Sequence, residues 1–176
     1  MNLAEYLSTH LRYSAWASRR TLQALRRLSE EEFNRNLGAS FGSIRGTLEH
    51  MFVADRVWFE KLAGEPAGLD EPPDDDYYST FSNLENDYRF LLTRYQLLAS
   101  LTDDPELALR FAYSQVKVHG SSIPKWQGVM NTVSHATYHR GQIASMLRQL
   151  GHAPLETDII RYYFELEGRP WPYPEP

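Results

Sequence analysis

Two histidines, His135 and His139, stand four residues apart with neither proline nor glycine between them. In an α-helix that spacing separates two side chains by roughly 40° around the axis and about 6 Å along it. Both imidazoles can then reach one point beside the helix, where they could ligate a metal ion. They could equally be an ordinary polar pair with hydrogen-bonding partners. A third histidine, His50, lies within another helical pattern, at the edge of an apolar line that includes Ala54, Val57 and Trp58. An imidazole aimed at a protein interior needs a polar partner. A metal shared with His135 and His139 would supply one, and so would a side chain or a water. Of the remaining histidines, His10 lies near the apolar side of a first helix. His119 falls near the tip of an expected hairpin and His152 follows Gly151. Both read as solvated loop residues. The chain has no cysteine, so any metal must take His, Asp, Glu or carbonyl ligands, and a thiolate nucleophile must come from a small molecule.

These residues need elements to position them. Leu3, Leu7, Leu11, Leu22, Leu25 and Leu28 lie on a helical spacing that predicts a first helix over about 2–28. A loop is expected around 34–38. Ser40 or Ser43 can cap a second helix over about 43–63, which Gly64 ends. Residues 65–78, with Pro66, Pro72, Pro73 and the run Asp74-Asp75-Asp76, read as a surface loop. Phe81, Leu84, Tyr88, Leu91, Tyr95 and Leu98 predict a third helix over about 79–100. Alternating apolar residues from Leu107 to Tyr113, then Val116 and Val118 before Gly120-Ser121-Ser122, suggest a short β-hairpin. Pro124 precedes a fourth helix to about 150, stopped by Gly151. A short last helix starts near Thr157 or Asp158 and ends by Gly168, and the proline-rich tail after Arg169 cannot be helical. The economical packing is all-α: a four-helix bundle, with the small hairpin before the fourth long helix, forming a single domain over 1–176.

Composition narrows the function classes. The chain has 176 residues, 42% hydrophobic and 23% charged, with a net charge of −5. That is ordinary globular usage for one domain, and it gives no overall electrostatic pull toward nucleic acid or an anionic membrane. Arg19, Arg20, Arg26 and Arg27 cluster on the first helix, read as a solvated face partly paired with Glu30, Glu31 and Glu32. No apolar run of membrane-spanning length and no basic-then-apolar leader is seen, so the expectation is a cytoplasmic protein.

Three stretches resemble the DinB family. The first is Tyr13-Ser-Ala-Trp-Ala-Ser-Arg19. The second is Phe41-Gly-Ser-Ile-Arg-Gly-Thr-Leu-Glu-His50, continued by Asp55 and Trp58. The third is Trp126, then His135-Ala-Thr-Tyr-His-Arg-Gly-Gln-Ile143, followed by Leu147-Arg-Gln-Leu-Gly151. Asn131 stands where many members carry another histidine, and Ser134 where asparagine is common. The resemblance implies a four-helix bundle with one divalent metal held by His50, His135 and His139. Three neutral imidazoles suit Zn, Ni, Co or Fe better than Mg or Ca, and three protein ligands leave a coordination position open.

Around that triad, Gln142 shares the face of His135 and His139 and could hydrogen-bond a ligand, or else face solvent. Asp55 could orient an imidazole or pair with an arginine, or else form a surface salt bridge. Tyr13, Trp16 and Trp58 could wall a pocket beside the metal, or else be plain core. Members of the family and its close superfamily relatives include thiol-dependent S-transferases and a mycothiol-dependent maleylpyruvate isomerase. The resemblance therefore implies a metal-dependent hydrolase or thiol S-transferase acting on a small-molecule substrate, with a low-molecular-weight thiol as co-substrate. It also implies a homodimer. The alternative is a non-catalytic metal-binding stress-response protein.

Overall fold

The computed structural model describes residues 2–101, 103, 107–112 and 122–174. It is mostly helical, the all-α class that the sequence periodicity predicts. Helix α1 spans Leu3–Leu25 and opens with a capping box. The Asn2 side chain accepts from the Glu5 N–H, and the Glu5 carboxylate accepts from the Asn2 N–H. A second box, Ser29 with Glu32, starts the one-turn helix α2, Glu30–Asn34. The sequence reading assigns no element to residues 29–33, and the expected loop at 34–38 begins where this helix ends. One turn is too short to show a period, and its one buried side chain is Phe33.

Helix α3 covers Ile44–Ala63. The Ser43 hydroxyl accepts from the Gly46 N–H at its start, and Gly64 closes it at φ 76°, a left-handed conformation that favours glycine. After a 3-10 turn at Tyr77–Ser79 comes α4, Phe81–Leu101. Two short strands, β1 (Arg110–Ala112) and β2 (Ser122–Pro124), pair antiparallel with Phe111 opposite Ile123. The turn of the expected hairpin, and His119 with it, lies outside the described residues. Helix α5 runs Lys125–Gln149, and α6, Ile159–Leu166, is capped by Asp158.

The four long helices touch one another in the cyclic order α1, α4, α3, α5. Their buried stripes meet in one core: Leu7, Leu11 and Leu22 from α1, Leu48, Met51 and Phe52 from α3, Leu84 and Leu91 from α4, Ala136 and Ile143 from α5. Each large apolar side chain so buried is worth about 1.5–3 kcal/mol against exposure. The consequence for function is that α3 and α5 are direct neighbours. No helix among the described residues is long and apolar enough to cross a membrane.

Candidate metal centre

Helix α3 carries His50, and α5 carries His135 and His139 one turn apart. Each ring offers a nitrogen, and the three nitrogens lie within 4.8 Å of one another. The ring centres are 5.1 Å apart for His50 and His135, 4.8 Å for His50 and His139, and 4.5 Å for His135 and His139. Nε2 of His50 is 3.1 Å from Nε2 of His135. Burial disfavours the charged imidazolium, and each positive neighbour would disfavour it further. Burial, then the charge of His139, lowers the pKa of His50. Burial, then the charges of His139 and His50, lowers that of His135 to about 4. Both rings are thus held neutral at physiological pH, the form that ligates metals.

The hydrogen bonds say which nitrogen is available. His139 Nδ1 is 2.7 Å from the Gln142 side-chain oxygen, which can only accept. Nδ1 therefore carries a proton, and Nε2 is the nitrogen left to offer a lone pair to a metal. The Gln142 amide in turn donates to the Tyr138 hydroxyl at 3.3 Å. His135 Nδ1 is buried with no hydrogen-bond partner. His50 Nε2 and His135 Nε2 can hydrogen-bond to each other when one donates and the other accepts. Three imidazole nitrogens that converge from two helices are a donor set that fits a divalent transition metal.

Two aromatic rings frame the cluster. Phe41 stacks on His50 with centres 4.0 Å apart and planes 18° from parallel, and it meets His139 edge-on at 5.6 Å. Tyr138, 64% exposed, meets the His139 ring edge-on at 4.9 Å. Phe41 is held by a tight turn in which Gly42, at φ 74°, donates to the Ala39 carbonyl and accepts from the Leu37 N–H. The Phe41 carbonyl lies against the first turn of α3 at Gly46, where a Cβ would fall on that oxygen.

A sequence model of the DinB family matches residues 1–169. The chain belongs to the DinB family. Protein DinB of Bacillus subtilis (strain 168) is 26% identical over 157 residues, covering 86% of this chain and 90% of that protein.

Other residues singled out in this DinB chain lie further from the imidazoles. Trp58 packs against Phe111, with centres 6.0 Å apart and Gly128 close by. Trp16 donates to Glu165 at 2.8 Å and packs on Tyr162, and Tyr13 donates to the Thr157 carbonyl at 3.0 Å. These two hold α1 to the segment around α6. Asp55 is not in a surface salt bridge. It is 3% exposed and accepts from the Tyr88 hydroxyl at 2.6 Å, while its backbone carbonyl accepts from Tyr95 at 2.7 Å. Burial pushes its carboxyl up to about 7, opposed by the Tyr88 hydrogen bond and then by the positive charge of Arg140.

His152 is not a free loop residue, since it pairs with Glu32 at 3.0 Å. That hydrogen bond, then one from the Ser29 backbone, holds Glu32 down to about 2. His10 donates from Nδ1 to the Tyr6 carbonyl at 2.8 Å. Of the arginines clustered at the first helix, Arg26 pairs with Glu85 at 2.7 Å, Arg19 donates to the Thr93 hydroxyl and Arg20 donates to the Glu156 carbonyl. Phe41, Tyr138 and Arg140 carry no assigned role in the sequence reading. All three stand inside the motif stretches, so adjacency to His139 or to the α3 cap was the available clue.

Proposed function

We propose that the chain binds one divalent transition ion, Zn, Ni, Co or Fe, through His50, His135 and His139. We propose further that it is a metal-dependent enzyme of thiol S-transferase or hydrolase type, built as one four-helix-bundle domain over 1–176. The observation that carries the reading is the convergence of three ring nitrogens within 4.8 Å, from two neighbouring helices, with His50 and His135 held neutral by burial. When bound, such an ion supplies a Lewis acid with an open position, able to stabilise negative charge on a substrate sulfur or oxygen.

The protein's own groups prepare that position. Gln142 fixes the tautomer of His139 so that Nε2 faces the other rings. Phe41 covers one face of His50 and sheds water from it, which strengthens electrostatic interactions inside the site. Tyr138 holds Gln142 and stands at the exposed rim. The chain has no cysteine, so an attacking thiolate arrives as a low-molecular-weight thiol. The family resemblance supports a homodimer. The net charge of −5 supports a small-molecule substrate over nucleic acid.

The test incubates Zn- or Ni-loaded protein with bacillithiol, mycothiol or glutathione and monochlorobimane, beside p-nitrophenyl acetate as a hydrolysis probe. The expected result is acceleration with one thiol or with the ester, lost in His135→Ala. Metal-loaded protein that accelerates none of them overturns the enzyme reading in favour of a metal-binding stress-response protein.

A further inference from the structure

Arg140 follows His139 directly, yet it is only 3% exposed. Its guanidinium donates to the hydroxyls of Ser14 at 3.3 Å and Ser18 at 3.2 Å, both on α1, and to Thr137 at 2.8 Å. It also lies 5.6 Å from the centre of the Tyr13 ring. Asp55 stands five residues after His50 on α3, and its carboxylate takes the Tyr88 hydroxyl from α4 while Oδ1 is buried with no hydrogen bond. The charge of Arg140 acts on both Asp55 and Tyr88, and Ser18 hydrogen-bonds Tyr88. A single buried polar layer therefore joins all four long helices, with Arg140 directly after His139 and Asp55 five residues after His50.

Geometry gives this layer a task that the apolar core cannot perform. A side-chain atom about 6 Å from its helix axis moves by roughly 2 Å when the helix rolls by 20°. Apolar packing tolerates repacking and slides at modest cost. Metal ligands must be placed to within about 0.5 Å. Hydrogen bonds to a buried guanidinium and a buried carboxylate are directional, and costly to leave unmade. They therefore set the roll of a helix more sharply than leucines do.

We propose that Asp55 and Arg140 are positioning residues for the three-histidine site: their shared layer fixes the roll of α3 and α5 so that His50 converges with His135 and His139. The inference rests on the metal reading given above. Each acts through the helix it stands on.

The test is Co²⁺ binding, followed by competition with a chromophoric chelator and by the visible absorption bands of the loaded protein. The variants are Arg140→Lys, Asp55→Asn and Tyr88→Phe, with Leu7→Ala as the comparison. Leu7 is buried in α1 about two turns before Ser14. Arg140→Lys keeps the charge and loses the fork, and Asp55→Asn keeps the shape and loses the charge. Both are expected to weaken Co²⁺ binding by about 10–100-fold and to shift the bands. Tyr88→Phe removes one hydroxyl, and it is expected to show the same change in smaller measure even where the other two fold poorly. Leu7→Ala is expected to lower Tm while leaving affinity and bands unchanged. Affinity that follows Tm alone across all four variants overturns the positioning role, as does wild-type affinity in Arg140→Lys and Asp55→Asn. Failure of the wild-type protein to bind Co²⁺ overturns the metal reading and this inference with it, and is distinguished because it appears before any variant is made.

Discussion

The histidine cluster and the layer around Asp55 and Arg140 occupy the same pair of helices, and they treat buried polar groups in opposite ways. The cluster holds three imidazoles together, leaves His135 Nδ1 without a partner and surrounds the rings with Phe41 and Tyr138. The layer surrounds its guanidinium and carboxylate with hydroxyls from Ser14, Ser18, Thr137 and Tyr88. The layer's guanidinium and hydroxyls are partnered, with Asp55 Oδ1 the exception. In the cluster, His50 Nε2 and His135 Nε2 face each other at 3.1 Å, where a bound cation would take both lone pairs. The proposed metal site lies in the cluster, and the proposed positioning residues lie in the layer.

The largest expected effect separates the two directly. Asp55→Ala leaves the Tyr88 hydroxyl without its buried acceptor and removes the carboxyl on which the Arg140 charge acts, and should cost about 3 kcal/mol in urea unfolding. His135→Ala in chelator-treated protein removes an orphaned nitrogen, and should stay within about 1 kcal/mol of wild type. Equal losses would erase the distinction. Next in size is Gly46→Ala. Its Cβ meets the Phe41 carbonyl, so the turn must shift, at about 2 kcal/mol by thermal or urea unfolding. The same shift lifts Phe41 off His50, which tryptophan-independent probes such as the His50 ring proton shifts in NMR should register.

The smallest effect is a pair of opposed pH responses in metal-free protein. The Asp55 carboxyl is raised from 3.8 to about 7, so its stabilising contribution is full below 3.8 and is lost as pH rises toward 7. His135 is lowered from 6.5 to about 4, so its contribution is full above 6.5 and is lost as pH falls toward 4. The advantage of wild type over Asp55→Asn should therefore be greater at pH 4.5 than at pH 7.5. For His135→Ala the order should reverse. Urea midpoints at the two pH values measure both.

The sequence showed the two regions unequally, for physical reasons. A four-residue histidine spacing fixes its own geometry within one helix, so His135 and His139 were legible before any packing was known. Local chemistry likewise offered Ser40 or Ser43 as the cap of α3, of which Ser43 is the one used, and marked Gly64 as its end and Gly151 as a stop after α5. Tyr88 and Tyr95 fall on an apolar line and read as core. Their hydroxyls matter because α4 packs beside α3, which no local pattern states. Arg140 stands in a motif without an assigned role, because its partners Ser14 and Ser18 come from α1, more than a hundred residues away. Tyr13, Trp16 and Trp58 were legible as buried aromatics, but which neighbours they meet depends on α6, β1 and Gly128. The one-turn α2 has too few residues to show a period.

The most direct measurement is metal content by plasma mass spectrometry on tag-free protein, beside a His50→Ala, His135→Ala double variant. The account predicts about one divalent transition ion per chain in the native protein, and loss of that ion in a variant that remains helical by circular dichroism. A native protein that holds no metal, and that takes up neither Zn²⁺ nor Ni²⁺ when offered them, would contradict it and return the three histidines to the role of polar groups between two helices.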